Sequence, residues 1–293
     1  MKVSVGIPVY DGKLPLHLVH CLLTETHLAA VTGDLLSVRF LQSCSNLAMG
    51  RNQLVKEFLA SDEDRLVFVD ADVTFKPGSV LKIAHSPLDF VGGAYRLKQE
   101  IEDYPVGYLG DEGVIKNGIL EVASIPTGFL SLSRKVFETF KAKYPGRDYK
   151  IHGHPGYAYF QIPFKDGCLY TEDAFFCREW QECGGKIHLD TDLELTHWDF
   201  NRPYPGHFGN WLKNGAGIFN VNERKESHGK ETPRAQGARD LGAPGRSAAK
   251  RAGSGGSKGS RKDVRPLAAP SVSPDALPGR KSRPKRRAER VAR

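Results

Sequence analysis

The segment that most restricts the fold is Arg65-Leu-Val-Phe-Val69, which runs directly into Asp70-Ala-Asp72. A strand that is apolar on both of its alternating faces must be covered on both sides, and such strands belong to parallel sheets flanked by helices. Similar strands are expected at Val3–Val9, Leu35–Gln42 and Phe90–Tyr95. Helices are expected between them, over Leu14–Glu25, over Asn46–Ala60 and from Lys76-Pro-Gly-Ser79 onward. In the second of these, Leu47, Leu54, Val55, Phe58 and Leu59 fall near one face. Strand–helix alternation of this kind predicts an α/β fold with a doubly wound, mostly parallel sheet.

After about residue 100 the pattern changes. A hairpin is expected within Tyr104–Val122, a helix over Ser133–Lys143, and an aperiodic loop over Gly153–Lys165. A helix over Glu172–Cys183 should end at Gly184-Gly185. Short strands at Lys186–Leu189 and Leu193–His197 would close the domain, and a small antiparallel addition to the sheet is expected.

Charge divides the chain in two. Gly229–Arg293 holds 18 Lys and Arg against 5 Asp and Glu and no aromatic residue, so it carries +13 of the net +8 and the first 228 residues carry −5. Without aromatics and rich in Gly, Pro, Ser and Arg, this stretch has too little apolar surface to offset its ordering entropy. The expectation is a folded domain over residues 1–222 and a disordered basic tail over 223–293. The clusters near Arg280–Arg287 suit contact with a polyanion, either nucleic acid or an anionic membrane surface. Five cysteines with no CxxC spacing suggest reduced thiols. No secretory leader and no transmembrane run is evident, so a cytoplasmic location is expected.

Asp70-Ala-Asp72 is the strongest chemical signal. Ligands of open α/β sheets bind beyond the carboxyl ends of the strands. Two carboxylates there can hold Mg²⁺ or Mn²⁺ against a diphosphate, since these cations take one or two carboxylates and complete their shell with phosphate oxygens. An isolated pair of this spacing is most often a solvated turn, so its neighbours matter. They are Val5-Gly-Ile-Pro-Val-Tyr10, Gly50-Arg-Asn-Gln53, Pro126-Thr-Gly-Phe129, and Thr171-Glu-Asp173 leading into Phe176-Cys-Arg-Glu-Trp180.

In motif, order and spacing, residues 3–200 resemble a family 2 type glycosyltransferase of the GT-A fold, a Rossmann-like member of the nucleotide-diphospho-sugar transferase superfamily. The resemblance implies that Pro8, Tyr10 and Asp11 seat the base and ribose of a nucleotide-sugar donor, with Arg51 and Asn52 near the nucleotide. It implies that Asp72 ligates the metal directly, that Asp70 meets ribose or metal-bound water, and that His197 completes the metal site. Gly128 would admit the sugar or acceptor to the backbone, its alternative being a structural turn. Glu172 and Asp173 match an acidic pair whose Asp is the general base of inverting members; at a helix start they also suit the helix dipole.

The family's acidic residue after the second strand is missing, because Arg39-Phe-Leu-Gln42-Ser-Cys-Ser45 contains none. A UDP-sugar is therefore only the default donor. The acceptor, whether glycan, lipid, protein or nucleic acid, is not legible. Alternatives are a sugar transferase acting on nucleic acid, and a non-catalytic or nucleotidyl-transfer protein on the same fold. Tyr95, Tyr157, Tyr159, Phe160 and Trp198 are candidates for stacking on sugar. His152 and His154 suit a lid, while His17, His20 and His27 are expected at the surface.

Overall fold

The computed structural model describes residues 1–42, 45–151, 153–165 and 167–214, and the backbone of 220–224. The basic tail from Gly229 onward, Cys44 and His152 lie outside the described residues.

Among the described residues the main sheet has nine strands. In chain order they are β1 (Lys2–Pro8), β2 (Leu35–Leu41), β3 (Arg65–Val69), β5 (Phe90–Gly92), β6 (Glu112–Lys116), β7 (Ile119–Val122), β8 (Phe129–Ser133), β13 (Ile187–Asp190) and β16 (Asn220–Arg224). Their spatial order is β16-β6-β7-β13-β5-β8-β3-β1-β2. Only β7 and β8 run against the other seven, so the expected mostly parallel α/β sheet is present. β16 spans the boundary expected between residues 222 and 223.

Each face of the sheet carries its own core. Along β3, Leu66 and Phe68 pack into one cluster while Val67 and Val69 pack into the other, as a period of two requires. The first cluster is closed by helices α2 (Leu47–Leu59), α4 (Arg134–Lys143) and α5 (Glu172–Glu182), through Leu54, Phe58, Phe137, Phe140, Phe176 and Trp180. The second is closed by α1 (Leu16–Thr32) and α3 (Ser79–Ala84), through Leu18, Leu22, Val80 and Ile83. No helix among the described residues is long and apolar enough to cross a membrane.

Beside the main sheet, β4 (Val73–Phe75) pairs with β14 (Glu194–Asp199), and β14 with β15 (Arg202–His207), which leads into α6 (Phe208–Lys213). The segment expected as an aperiodic loop contributes to two hairpins, β9 (Asp148–Ile151) with β10 (His154–Tyr157) and β11 (Phe164–Lys165) with β12 (Cys168–Leu169).

Strand direction gathers the site. β1, β3 and β5 all end at one edge, delivering Pro8, Asp70 and Tyr95 there. β8 runs the opposite way, so its start, just after Gly128, reaches the same edge, where the Asp70 amide donates to the Gly128 carbonyl at 2.9 Å.

Candidate functional site

Two ionic clusters stand at this edge. The inner one is centred on Arg51, which α2 carries into the core, and its side chain is 2% exposed. Nη2 donates to Asp70 Oδ1 at 2.8 Å and Nη1 donates to Glu172 Oε1 at 2.5 Å. Burial opposes the charge on Arg51, but the two carboxylates outweigh it and hold its pKa above the ordinary value. Tyr95 Oη lies 3.5 Å from the other Asp70 oxygen. Burial first, and then Asp70, push the Tyr95 hydroxyl far up. Arg51 opposes that rise, and Asp72 and Asp173 add to it in smaller measure.

Gly128 serves this cluster rather than an open turn. A Cβ there would lie 2.4 Å from Asp70 Oδ2 and 2.5 Å from Tyr95 Oη. Only glycine lets both side chains sit where they do.

The outer cluster is centred on Asp72. The β4–β14 ladder sets His197 opposite Val73, and His197 Nε2 lies 3.3 Å from Asp72 Oδ2. The ring's Nδ1 lies 3.0 Å from the Arg96 carbonyl. A carbonyl can only accept, so Nδ1 carries a proton. With Nδ1 so held, Nε2 is the nitrogen that faces Asp72, and it is the one a metal would take once it carries no proton. Lys98 Nζ donates to the same Asp72 oxygen at 2.6 Å. Burial works to raise the Asp72 pKa, but the hydrogen bonds from His197 and Lys98 outweigh it and bring it down to about 2.

Pro8, Tyr10, Asp11, Asp70 and Asp72 line one cleft of about 580 Å³, together with Lys98 and Trp198. Among the described residues no three His, Cys, Asp or Glu side chains stand grouped as a ready ion site. The donor set nevertheless fits a divalent cation as a two-ligand site. Asp72 would supply a carboxylate and His197 an imidazole, leaving the remaining positions for ligand oxygens.

Asp173 opens α5 beside Glu172. Its Oδ1 accepts from the Ala174 amide at 2.7 Å and from the Thr171 hydroxyl. Its Oδ2 makes no hydrogen bond among the described residues.

Several expectations change. Asn52 stands apart from the cleft that Asp70 and Asp72 line; its amide group is taken up by the Phe160 backbone, donating at 2.9 Å and accepting at 2.8 Å. Arg51 reaches the cleft only through Asp70. Asp70 itself lines the cleft, with Oδ1 held by Arg51 and Oδ2 3.5 Å from Tyr95 Oη. Tyr95, Tyr157, Tyr159 and Phe160 are core, and of the five aromatic candidates Trp198 alone lines the cleft. His17 is half-buried, stacked on Trp198 with ring centroids 3.8 Å apart, which braces that wall. His154 and the hairpin β9–β10 flank a separate groove with Met49 and Tyr149. Lys98 belongs to none of the quoted motifs, so no sequence signal pointed to it.

No protein-family model matches the chain, and no curated protein matches it. Solved structures are similar to it at low identity. A197 from STIV is 20% identical, with 69% of this chain and 88% of that one covered and a TM-score of 0.46. The catalytic domain of Drosophila β1,4-galactosyltransferase 7, in complex with xylobiose, is 14% identical, with 72% of each chain covered and a TM-score of 0.39. The inositol-1-phosphate CTP transferase from T. maritima is 10% identical, with 67% and 89% covered and a TM-score of 0.37.

Proposed function

We propose that the chain is a metal-dependent glycosyltransferase of the GT-A type, moving a sugar from a nucleotide-diphosphate sugar to an acceptor hydroxyl with inversion. One observation carries this reading: buried Arg51 ties Asp70 to Glu172, drawing three of the five sequence motifs into one contact. A clamp that spends a buried cation on two carboxylates at the ligand edge of an α/β sheet suits a site that must be rigid.

In this reading the base and ribose lie along Pro8, Tyr10 and Asp11, with Asp70 facing the ribose. Asp72 and His197 hold Mn²⁺ or Mg²⁺. When bound, the cation offsets charge on the departing diphosphate. Glu172 is a positioning residue, because Arg51 occupies it. Asp173, with Oδ2 free, accepts the acceptor hydroxyl's proton as the new C–O bond forms and the anomeric bond to the diphosphate breaks. The diphosphate leaves with that bond's electron pair.

The test is a thermal-shift and turnover screen with a panel of nucleotide sugars, with and without Mn²⁺, on wild type and Asp72→Ala. The expected result is one donor whose stabilisation needs both Mn²⁺ and Asp72. If no nucleotide sugar is bound or consumed, the reading is wrong.

A further inference from the structure

The Asp72 cluster holds one group that the proposed reaction does not use. Lys98 Nζ stands on Asp72 Oδ2, the oxygen that also faces His197 Nε2. A divalent cation bridging Asp72 and His197 would need the same space, and it would meet an ammonium of like charge there.

Lys98 is also placed so that it can leave. Its loop is pinned, with the Leu97 amide donating to the Asp103 carbonyl at 2.9 Å and Arg96 bonding the carbonyls of Gln99 and Glu100. The backbone therefore stays while the four-carbon side chain, 31% exposed and lining the cleft, keeps its freedom. The charged groups that line the cleft are mostly carboxylates, from Asp11, Asp70, Asp72 and Asp199, against Lys13 and Lys98. Lys13 is already beside Asp11. An entering diphosphate thus finds in Lys98 the nearest ammonium to Asp72.

We infer that Lys98 is a built-in counter-cation that closes the Asp72–His197 pair to divalent metal until a diphosphate draws the ammonium away. Metal and diphosphate then bind cooperatively, each raising the other's affinity by the same factor, as linkage requires. The inference rests on the transferase reading of this cleft and adds to it an order imposed by the protein itself.

Mn²⁺ binding is measured by electron paramagnetic resonance of the free ion, alone and with UDP, for wild type, Lys98→Met, Lys98→Arg and Asp72→Ala. Circular dichroism and melting curves check that each variant is folded. With Mn²⁺ alone, an arm that does not depend on the donor base, Lys98→Met is expected to bind about tenfold more tightly than wild type. Lys98→Arg, which keeps the charge, should stay near wild type. UDP should tighten Mn²⁺ binding in both proteins, through the phosphate oxygens that complete the cation's shell, and the tightening should be about tenfold greater in wild type than in Lys98→Met.

If wild type and Lys98→Met bind Mn²⁺ equally while Asp72→Ala binds none, the cation site stands and the role of Lys98 is overturned. If binding is indifferent to Asp72, or if neither protein takes up Mn²⁺ with or without UDP, the metal site fails and this inference fails with it.

Discussion

Asp70 and Asp72 are two residues apart, end the same strand, and each touches a basic side chain, yet their surroundings differ in kind. Asp70 meets a planar guanidinium that also holds Glu172, and all three groups are largely shielded from water. Asp72 is 42% exposed and meets a flexible ammonium and a histidine. An ion pair removed from water is architecture, because stripping one partner strands a charge that cannot be rehydrated. An ion pair at the rim is exchangeable, because water or a ligand replaces either partner at little cost. In the proposed reading the DxD spacing therefore divides its labour, with one carboxylate held in a buried clamp and the other in an exchangeable pair.

The sharpest way to break this contrast is Arg51→Met. It leaves Asp70 and Glu172 without their shared cation and should destabilise the fold by about 3–5 kcal/mol, read as a lower urea midpoint at constant slope. Adding Asp70→Asn and Glu172→Gln to that variant should restore part of the loss, since the stranded charges are then gone. If Arg51→Met costs under about 1 kcal/mol, the inner cluster is no more structural than the outer one.

Asp173→Asn tests the same boundary along one helix. Glu172 lies inside the clamp, while its neighbour keeps a free oxygen. The substitution should lower transfer roughly 10²- to 10⁴-fold with the urea midpoint unchanged. Glu172→Gln should instead lower stability along with rate. A smaller effect is expected from Gly128→Ala, whose new methyl must displace Asp70 or Tyr95. Overpacking of this kind costs about 1–3 kcal/mol, and loss of donor-induced stabilisation would show that Asp70 had moved.

Much of this arrangement was legible in the chain, for reasons that also mark where legibility ends. β3 and helices α2, α4 and α5 carry their own periodicity, so they appear where local pattern places them. β8 was missed because Phe129-Leu-Ser-Leu-Ser133 includes Ser131, a polar residue that is buried only because Arg65 donates to its hydroxyl from 66 residues away. β10 was missed because His154-Pro-Gly-Tyr157 reads as a turn. It pairs in a two-stranded ribbon that tolerates Pro155, and Gly156 leaves room for the Tyr149 ring. At the site, motif order brought Arg51, Asp70 and Glu172 under suspicion together. Their contact spans up to 121 residues and has no local signature. Lys98 stood outside every motif, and the strand register that sets His197 beside Asp72 is a tertiary fact.

The smallest predicted effect is the most diagnostic of the outer cluster. Lys98→Ala should cost less than about 1 kcal/mol at neutral pH, and less still at 1 M salt, because the pair is partly hydrated and screened. Its pH dependence follows from Asp72, whose pKa is brought down to about 2 in the folded protein. A carboxylate with a depressed pKa stabilises the fold above its unfolded value of about 3.9, and that contribution is lost as pH falls through the folded value. The difference in urea midpoint between wild type and Lys98→Ala should therefore stay level from about pH 7 to pH 4 and close between about pH 4 and pH 2. The corresponding difference for Arg51→Met at neutral pH should be several times larger and indifferent to salt, since its charges lie where mobile ions do not reach. Equal salt sensitivity in the two variants would mean that both carboxylates sit in the same kind of site, and the division of labour between Asp70 and Asp72 would have to be abandoned.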